Sequence, residues 1–215
     1  NRYLTQKPEI SAKSILDGSF ESRSEEYLSD QIIGRKNWVE MKSMTEASLG
    51  ISDINGVYLC TKGRVVEKVT VRDFDSKNYE KNLRRAAELS QICRQEGIET
   101  DVMLIPTAAY VYGNELPHYA LTFDEDEAFD MARKILGDDL IDLRDRFKEE
   151  KQNENLFFKT DHHWTGRGAR TGAAEFLAHK GSSEGAEKVL SCGMETLSRD
   201  FKGTLYSKVL LKTLG

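Results

Sequence analysis

Four adjacent residues, Asp161-His162-His163-Trp164, gather half of the chain's four histidines beside a carboxylate and an indole. In an extended or turn segment, residues two apart project to the same side. Asp161 is therefore placed to hold His163, fix its tautomer and stabilise the imidazolium formed when it takes a proton. That is the acid–histidine half of a Ser-His-Asp triad. His162 is expected to point elsewhere, toward packing or a substrate. A structural reading also fits: a polar turn tied down by hydrogen bonds, with Trp164 filling the core.

Asp161, His162 and His163 could also supply ligands to a two-metal phosphoesterase, a chemistry that needs further Asp or His groups from other strands. Only His118 and His179 remain, in a Leu116-Pro117-His118 turn and at a predicted helix end. No H-x-H or H-E-x-x-H occurs. The expectation is no metal site and no cofactor.

The elements around the cluster can be read from periodicity. Leu156-Phe157-Phe158 reads as a strand. Thr165 can cap a following helix with the stripe Ala169, Gly172, Ala173, Phe176 and Leu177, ending at His179-Lys180-Gly181. The cluster thus falls in a strand-to-helix turn, where open α/β sheets tend to bind ligands.

Upstream, Tyr79, Leu83, Ala86, Leu89 and Cys93 mark a helix closed by Gly97, and Val102–Ile105 reads as a fully buried strand. Thr122 and Glu125 have capping-box spacing, and the acidic run 124–127 suits a helix start. Gly137 ends that helix, and Leu140–Leu143 follows as a strand. Val57–Cys60 and Arg64–Glu67 flank Thr61-Lys62-Gly63 as a hairpin. Residues 14–49 read as helical, broken at Asp17-Gly18-Ser19 and closed by Gly50.

The β-α-β order points to a layered α/β fold with a largely parallel sheet. At 215 residues the chain buries roughly 70% of its unfolded surface and needs no metal or disulfide staple. Cys60, Cys93 and Cys192 lie far apart, so buried free thiols are expected. The net charge of −5, with no basic stripe along the sequence, argues against nucleic acid as a partner. No apolar run approaches the roughly 18 residues of a membrane-spanning helix.

The run Lys159-Thr160-Asp161-His162-His163-Trp164-Thr165 resembles the signature of the DHHW family of bacterial proteins. Asn1-Arg2 with Gln6-Lys7-Pro8-Glu9, Leu16–Phe20, Glu26–Gln31, Ile54–Leu59 and Pro106-Thr107-Ala108 resemble further family segments in the same order. That family is similar to the alginate O-acetyltransferase proteins of the SGNH-hydrolase-like superfamily. The resemblance implies an α/β/α sandwich with a mainly parallel sheet, a single domain over 1–215 with 1–50 as a helical extension ahead of the hairpin. It implies that Asp161 and His163 serve a nucleophilic serine later in the chain. It also implies export, with a membrane anchor removed from the N-terminus.

In such relatives the serine lies in a later strand-to-helix turn. The 51 residues after Trp164 contain no Asp-Ser. Gly203-Thr204-Leu205-Tyr206-Ser207 resembles the stretch that precedes that region in the family, which makes Ser207 the nucleophile candidate, and the C-terminus is expected to be cut short. His162, Trp164, Tyr110 and Tyr112 are candidates to contact a sugar.

The leading expectation is an acyl-transfer or acetylesterase domain acting on extracellular or cell-envelope polysaccharide, supplied by a membrane-bound acyl-donor protein. The alternatives are an inactive carbohydrate-binding or scaffold protein of an envelope assembly, and the metal phosphoesterase.

Overall fold

The computed structural model describes residues 5–152, 155–198, 200–212 and 214, with the backbone alone at Asp30. The N-terminal helical stretch breaks at Gly18, as expected, and again at Gly34. α1 (Ala12–Leu16), α2 (Ser19–Gln31) and α3 (Arg35–Ser48) are separated at Gly18 and Gly34, whose φ angles are 74° and 71°. A side chain rarely adopts that left-handed conformation. Leu28, Trp38, Met41 and Met44, the apolar positions that suggested the helix, all lie more than half exposed.

The expected hairpin forms and gains a third strand. β1 (Asp53–Ile54), β2 (Val57–Leu59) and β3 (Val65–Glu67) make an antiparallel sheet in the order β1-β2-β3. Asn55 and Gly56 join the first two at φ 50° and 77°, the paired positive angles of a tight hairpin turn. Ile54, Val57 and Val65 are buried against Leu205 and Val209 from the far end of the chain.

α4 (Ser76–Gln95) is the helix that the 79–93 stripe predicts, and it packs with α6 (Glu125–Leu136) over a two-stranded parallel sheet. β4 (Val102–Leu104) and β5 (Leu140–Asp142) pair in register Val102↔Leu140 through Leu104↔Asp142. β4 is half-buried, where full burial was expected. Between β4 and α6 lies the short α5 (Ala108–Val111). The cap of α6 is Asp124, which accepts from the Glu127 amide, so Thr122 is not the cap. Glu125 instead turns inward and accepts from the amide and the hydroxyl of Thr107.

The described residues therefore form a mixed α/β architecture, mostly helical with two small sheets. The mainly parallel sheet of an α/β/α sandwich is represented by β4 and β5. Leu156–Phe158 is not a ladder strand either. It makes a single antiparallel bridge, Phe157↔Trp164, flanked by Thr165 N–H to Leu156 O at 2.8 Å and Phe158 N–H to His163 O at 3.2 Å. The chain folds back on itself there, so no partner strand is left to extend the pairing.

That fold-back is held from beneath. Phe147 of α7 (Arg144–Glu150), Leu143, Leu156 and Phe157 are fully or almost fully buried, with Trp164 packed against them. Each such side chain contributes about 1.5–3 kcal/mol of burial. Just before β3, the buried Arg64 guanidinium donates to the carbonyls of Phe157 and Phe158, pairs with Glu115 at 3.1 Å and stacks 3.6 Å over Tyr112.

α8 (Gly166–His179) starts where expected, with Thr165 Oγ1 accepting from the Gly168 amide. Its inward face differs from the apolar stripe. Gly168, Thr171, Gly172 and Ala174 are buried, whereas Ala173 and Phe176 face out. Small residues win because the fold-back lies so close. A Cβ on Gly168 would overlap the Leu156 carbonyl oxygen, and one on Gly172 would sit 2.9 Å from the Trp164 ring. Gly168→Ala is accordingly expected to destabilise the protein by about 1–3 kcal/mol in urea denaturation. An ordinary exposed-helix Gly→Ala change would stabilise instead.

α9 (Ser183–Ser191) packs on α8, and α10 (Tyr206–Val209) on α3. The three cysteines are free, but Cys60 and Cys93 are half-buried and Cys192 is exposed. Burial pushes the Cys60 thiol up to about 12. Among the described residues, no helix is long and apolar enough to cross a membrane.

Candidate active site

The bridge between Phe157 and Trp164 closes a loop whose tip carries Asp161, His162 and His163. Asp161 is buried at its base, while both histidine side chains are at least half exposed. The pairing expected from the i, i+2 spacing is present. His163 Nδ1 lies 2.5 Å from Asp161 Oδ1, which also accepts from the His163 amide at 3.0 Å. The carboxylate's other oxygen, Oδ2, accepts from the amide of Thr204 at 2.7 Å and from its hydroxyl at 3.0 Å.

Four donors thus converge on one carboxylate. Burial raises the Asp161 pKa, but the Thr204 and His163 amides, with the His163 ring and the Thr204 hydroxyl, more than offset it. The net result holds the group well below the ordinary carboxylate range, as expected when hydrogen bonds favour the charged form.

Thr204 also decides the state of the second histidine. Its single hydroxyl proton goes to Asp161, so its oxygen accepts from His162 Nδ1 at 3.2 Å. In the neutral form of each imidazole the proton is then on Nδ1 and Nε2 is the acceptor. The two rings stack with centroids 4.0 Å apart. His162 therefore does not point elsewhere: both rings line the same cavity.

That cavity measures about 370 Å³. Trp164, Ile105, Val66 and Phe123 give it apolar walls, and Thr107 and Glu125 stand at the carboxyl end of β4. Burial pushes the Glu125 carboxyl up, against the hydrogen bonds from Thr107.

The other sequence candidates fall away from this cavity. Tyr112 is buried in the core, its hydroxyl accepting from the Leu156 amide at 2.9 Å. Tyr110 bonds Asp126 at 2.5 Å and Lys148 at 2.6 Å on the surface. Ser207 donates to Thr204 O at 2.6 Å and lines a separate concavity.

Asp161, His162 and His163 do bring ligand atoms within 4.8 Å of one another. A cation there would need Asp161 to give up donors that already satisfy both its oxygens, so the donor set is built for an imidazole.

Sequence reasoning missed the clamp formed by Gly203 and Thr204. Gly203 lies so close to Asp161 that an added Cβ would overlap its Cβ, Cγ and Oδ2 atoms. Its amide also donates to Thr160 Oγ1 at 3.2 Å. The only hint in the sequence was a glycine followed by a hydroxyl residue after an irregular stretch.

The site is thus a buried acid orienting an accessible histidine beside the end of a parallel strand. Residues 66–212, more than half of the chain, match the family model described as SGNH hydrolase-like domain, acetyltransferase AlgX. The chain belongs to that family. Among solved structures it is similar to the O-acetyltransferase domain of Pseudomonas putida AlgJ, with a TM-score of 0.53 and 20% identity. That match covers 71% of this chain and 58% of the AlgJ chain, so this chain spans a little over half the length of that relative. Bacillus cereus PatB1 is similar at a TM-score of 0.46 and 23% identity, over 63% of this chain and 44% of that one. No curated protein matches the sequence.

Proposed function

We propose that the chain carries the acid–base half of an O-acyl transfer site, moving or removing acetyl groups on extracellular or cell-envelope polysaccharide. The observation that supports this most directly is the 2.5 Å bond from His163 Nδ1 to a carboxylate fixed by Thr204. With Nδ1–H committed to Asp161, the Nε2 atom is the basic nitrogen. It takes the proton of an attacking hydroxyl, and Asp161 stabilises the imidazolium that results. The hydroxyl oxygen bonds the acyl carbon, and Nε2 returns the proton to the departing oxygen. The apolar cavity beside the rings is suited to the acyl methyl.

The attacking hydroxyl comes from a serine; Ser207 is the candidate within this chain, and to serve it must leave Thr204 O and the separate concavity it lines. His162 and Trp164 contact the sugar in this reading. A membrane-bound protein supplies the acyl group in the cell envelope.

The test is hydrolysis of p-nitrophenyl acetate by the wild type beside His163→Ala, Asp161→Ala and Ser207→Ala. Loss of about 10²–10⁴-fold is expected for His163→Ala, the usual worth of a positioned general base. Asp161→Ala is expected to follow it. Unchanged turnover in both would overturn the reading. Turnover retained in Ser207→Ala alone would move the nucleophile elsewhere.

A second reading, an inactive carbohydrate-binding protein, is favoured by one observation: the Ser207 hydroxyl is engaged by Thr204 O and lines the other concavity. Sugar binding without ester turnover in any variant would select it.

A further inference from the structure

Acceptors dominate the polar groups of the cavity beside the histidines. Its basic nitrogens are the Nε2 atoms of His162 and His163, because each Nδ1 is engaged by Thr204 or Asp161. The amide and the hydroxyl of Thr107 both donate to Glu125, so neither is left for a ligand. Two carboxylates, Glu67 and Glu125, belong to the lining. Among the described residues, no lysine or arginine does.

The two acids differ in their surroundings. Glu67 is exposed and pairs with Lys208 at 3.1 Å. Glu125 is buried, and among the described residues it has no cation partner. Each of its oxygens accepts one hydrogen bond from Thr107, which leaves a lone pair on both. A carboxylate taken out of water without a counter-charge is costly, and a ligand that brings the cation offsets that cost. The remaining walls are apolar, with Trp164 and Phe123 contributing rings, and aromatic faces attract organic cations. The volume of about 370 Å³ equals that of roughly a dozen water molecules. That is room for one sugar ring or one short acyl ester.

We propose that this cavity binds a small molecule carrying a primary ammonium, with the ammonium at Glu125 and a hydroxyl or ester group at the histidines. Two sources share this chemistry. An amino sugar carries the charge on the acyl acceptor, and an aminoacyl ester carries it on the acyl group. As a statement about substrate the inference rests on the acyl-transfer reading above. Binding reads it separately from turnover, so each can fail without the other.

The protein's two tryptophans give two indole N–H signals in NMR. Trp164 lines the cavity and Trp38 is exposed on α3, so Trp38→Phe assigns them. Wild type is titrated at neutral pH with two matched pairs, glucosamine against glucose and alaninamide against propionamide. At least one amine should shift the Trp164 signal with an affinity about tenfold or more above its neutral partner, leaving Trp38 unmoved. Glu125→Gln should weaken that binding about tenfold or more. Glu127 is exposed in the same helical turn and outside the lining. Glu127→Gln removes the same charge there and should leave affinity within about twofold. Thermal unfolding checks that both variants fold, and where Glu125→Gln does not, the matched pairs on wild type decide.

Binding of glucosamine alone supports the site and puts the charge on the acceptor. Binding of alaninamide alone supports it and puts the charge on the acyl group, and binding of both shows that the ammonium itself is selected. Three results overturn it: no shift of Trp164 by either amine, equal binding of the neutral partners, or equal weakening by Glu127→Gln. Hydrolysis of p-nitrophenyl acetate by the same wild-type sample separates the two readings. Amine binding without turnover keeps the site and removes acyl transfer, whereas turnover without amine binding does the reverse.

Discussion

Gly203→Ala is expected to lower stability by about 2–4 kcal/mol and to break the Asp161–His163 hydrogen bond. The added methyl would have to occupy the space of the Asp161 side chain itself. That side chain is pinned from both ends, by the Thr204 amide and hydroxyl on one oxygen and by His163 on the other. It has no open direction in which to retreat. Urea denaturation measures the stability loss, and the His163 Nδ1 proton signal in NMR reports the broken bond. A variant as stable as wild type, with that signal intact, would show that the clamp is looser than its geometry.

Asp161→Asn is expected to cost about 2–4 kcal/mol at neutral pH, because charge-assisted bonds are lost and a donor faces donors. The amide NH₂ would be directed either at His163 Nδ1–H or at the Thr204 amide and hydroxyl. The pH dependence carries a definite sign. The folded carboxyl lies below its ordinary value of 3.8, so its stabilisation is fully present above that value. It is lost as pH falls from about 4 toward the lower folded value. The gap between wild type and Asp161→Asn should therefore close as the solution is taken from about pH 5 into more acid conditions. Denaturation curves across that range measure it. A gap that instead widened below pH 4 would contradict the assigned charge state.

Much of this site was legible because its chemistry is local. The i, i+2 spacing placed Asp161 on His163, and Thr165 marked the start of α8. The Asn55-Gly56 turn went unread, because the two-residue β1 before it is too short to show alternation. Hydrophobic periodicity misplaced the buried face of α8, since Gly168 and Gly172 are chosen for their lack of a side chain. Gly34 and the outward Trp38 and Met41 show the converse: apolar spacing identifies a helix without saying that anything covers it. The clamp was hidden for another reason. Thr204 meets Asp161 across 43 residues of sequence, and neither composition nor period records such a pairing.

That separation sets an order of events during synthesis. Closing so long a loop must precede the reward of its hydrogen bonds. At about 5–20 residues per second, residue 204 is added roughly 2–9 s after residue 161. A growing chain thus carries both histidines well before it carries the group that fixes their acid. The oriented dyad matures only once Thr204 is in place, and a chain interrupted before Thr204 would hold the histidines without their setting.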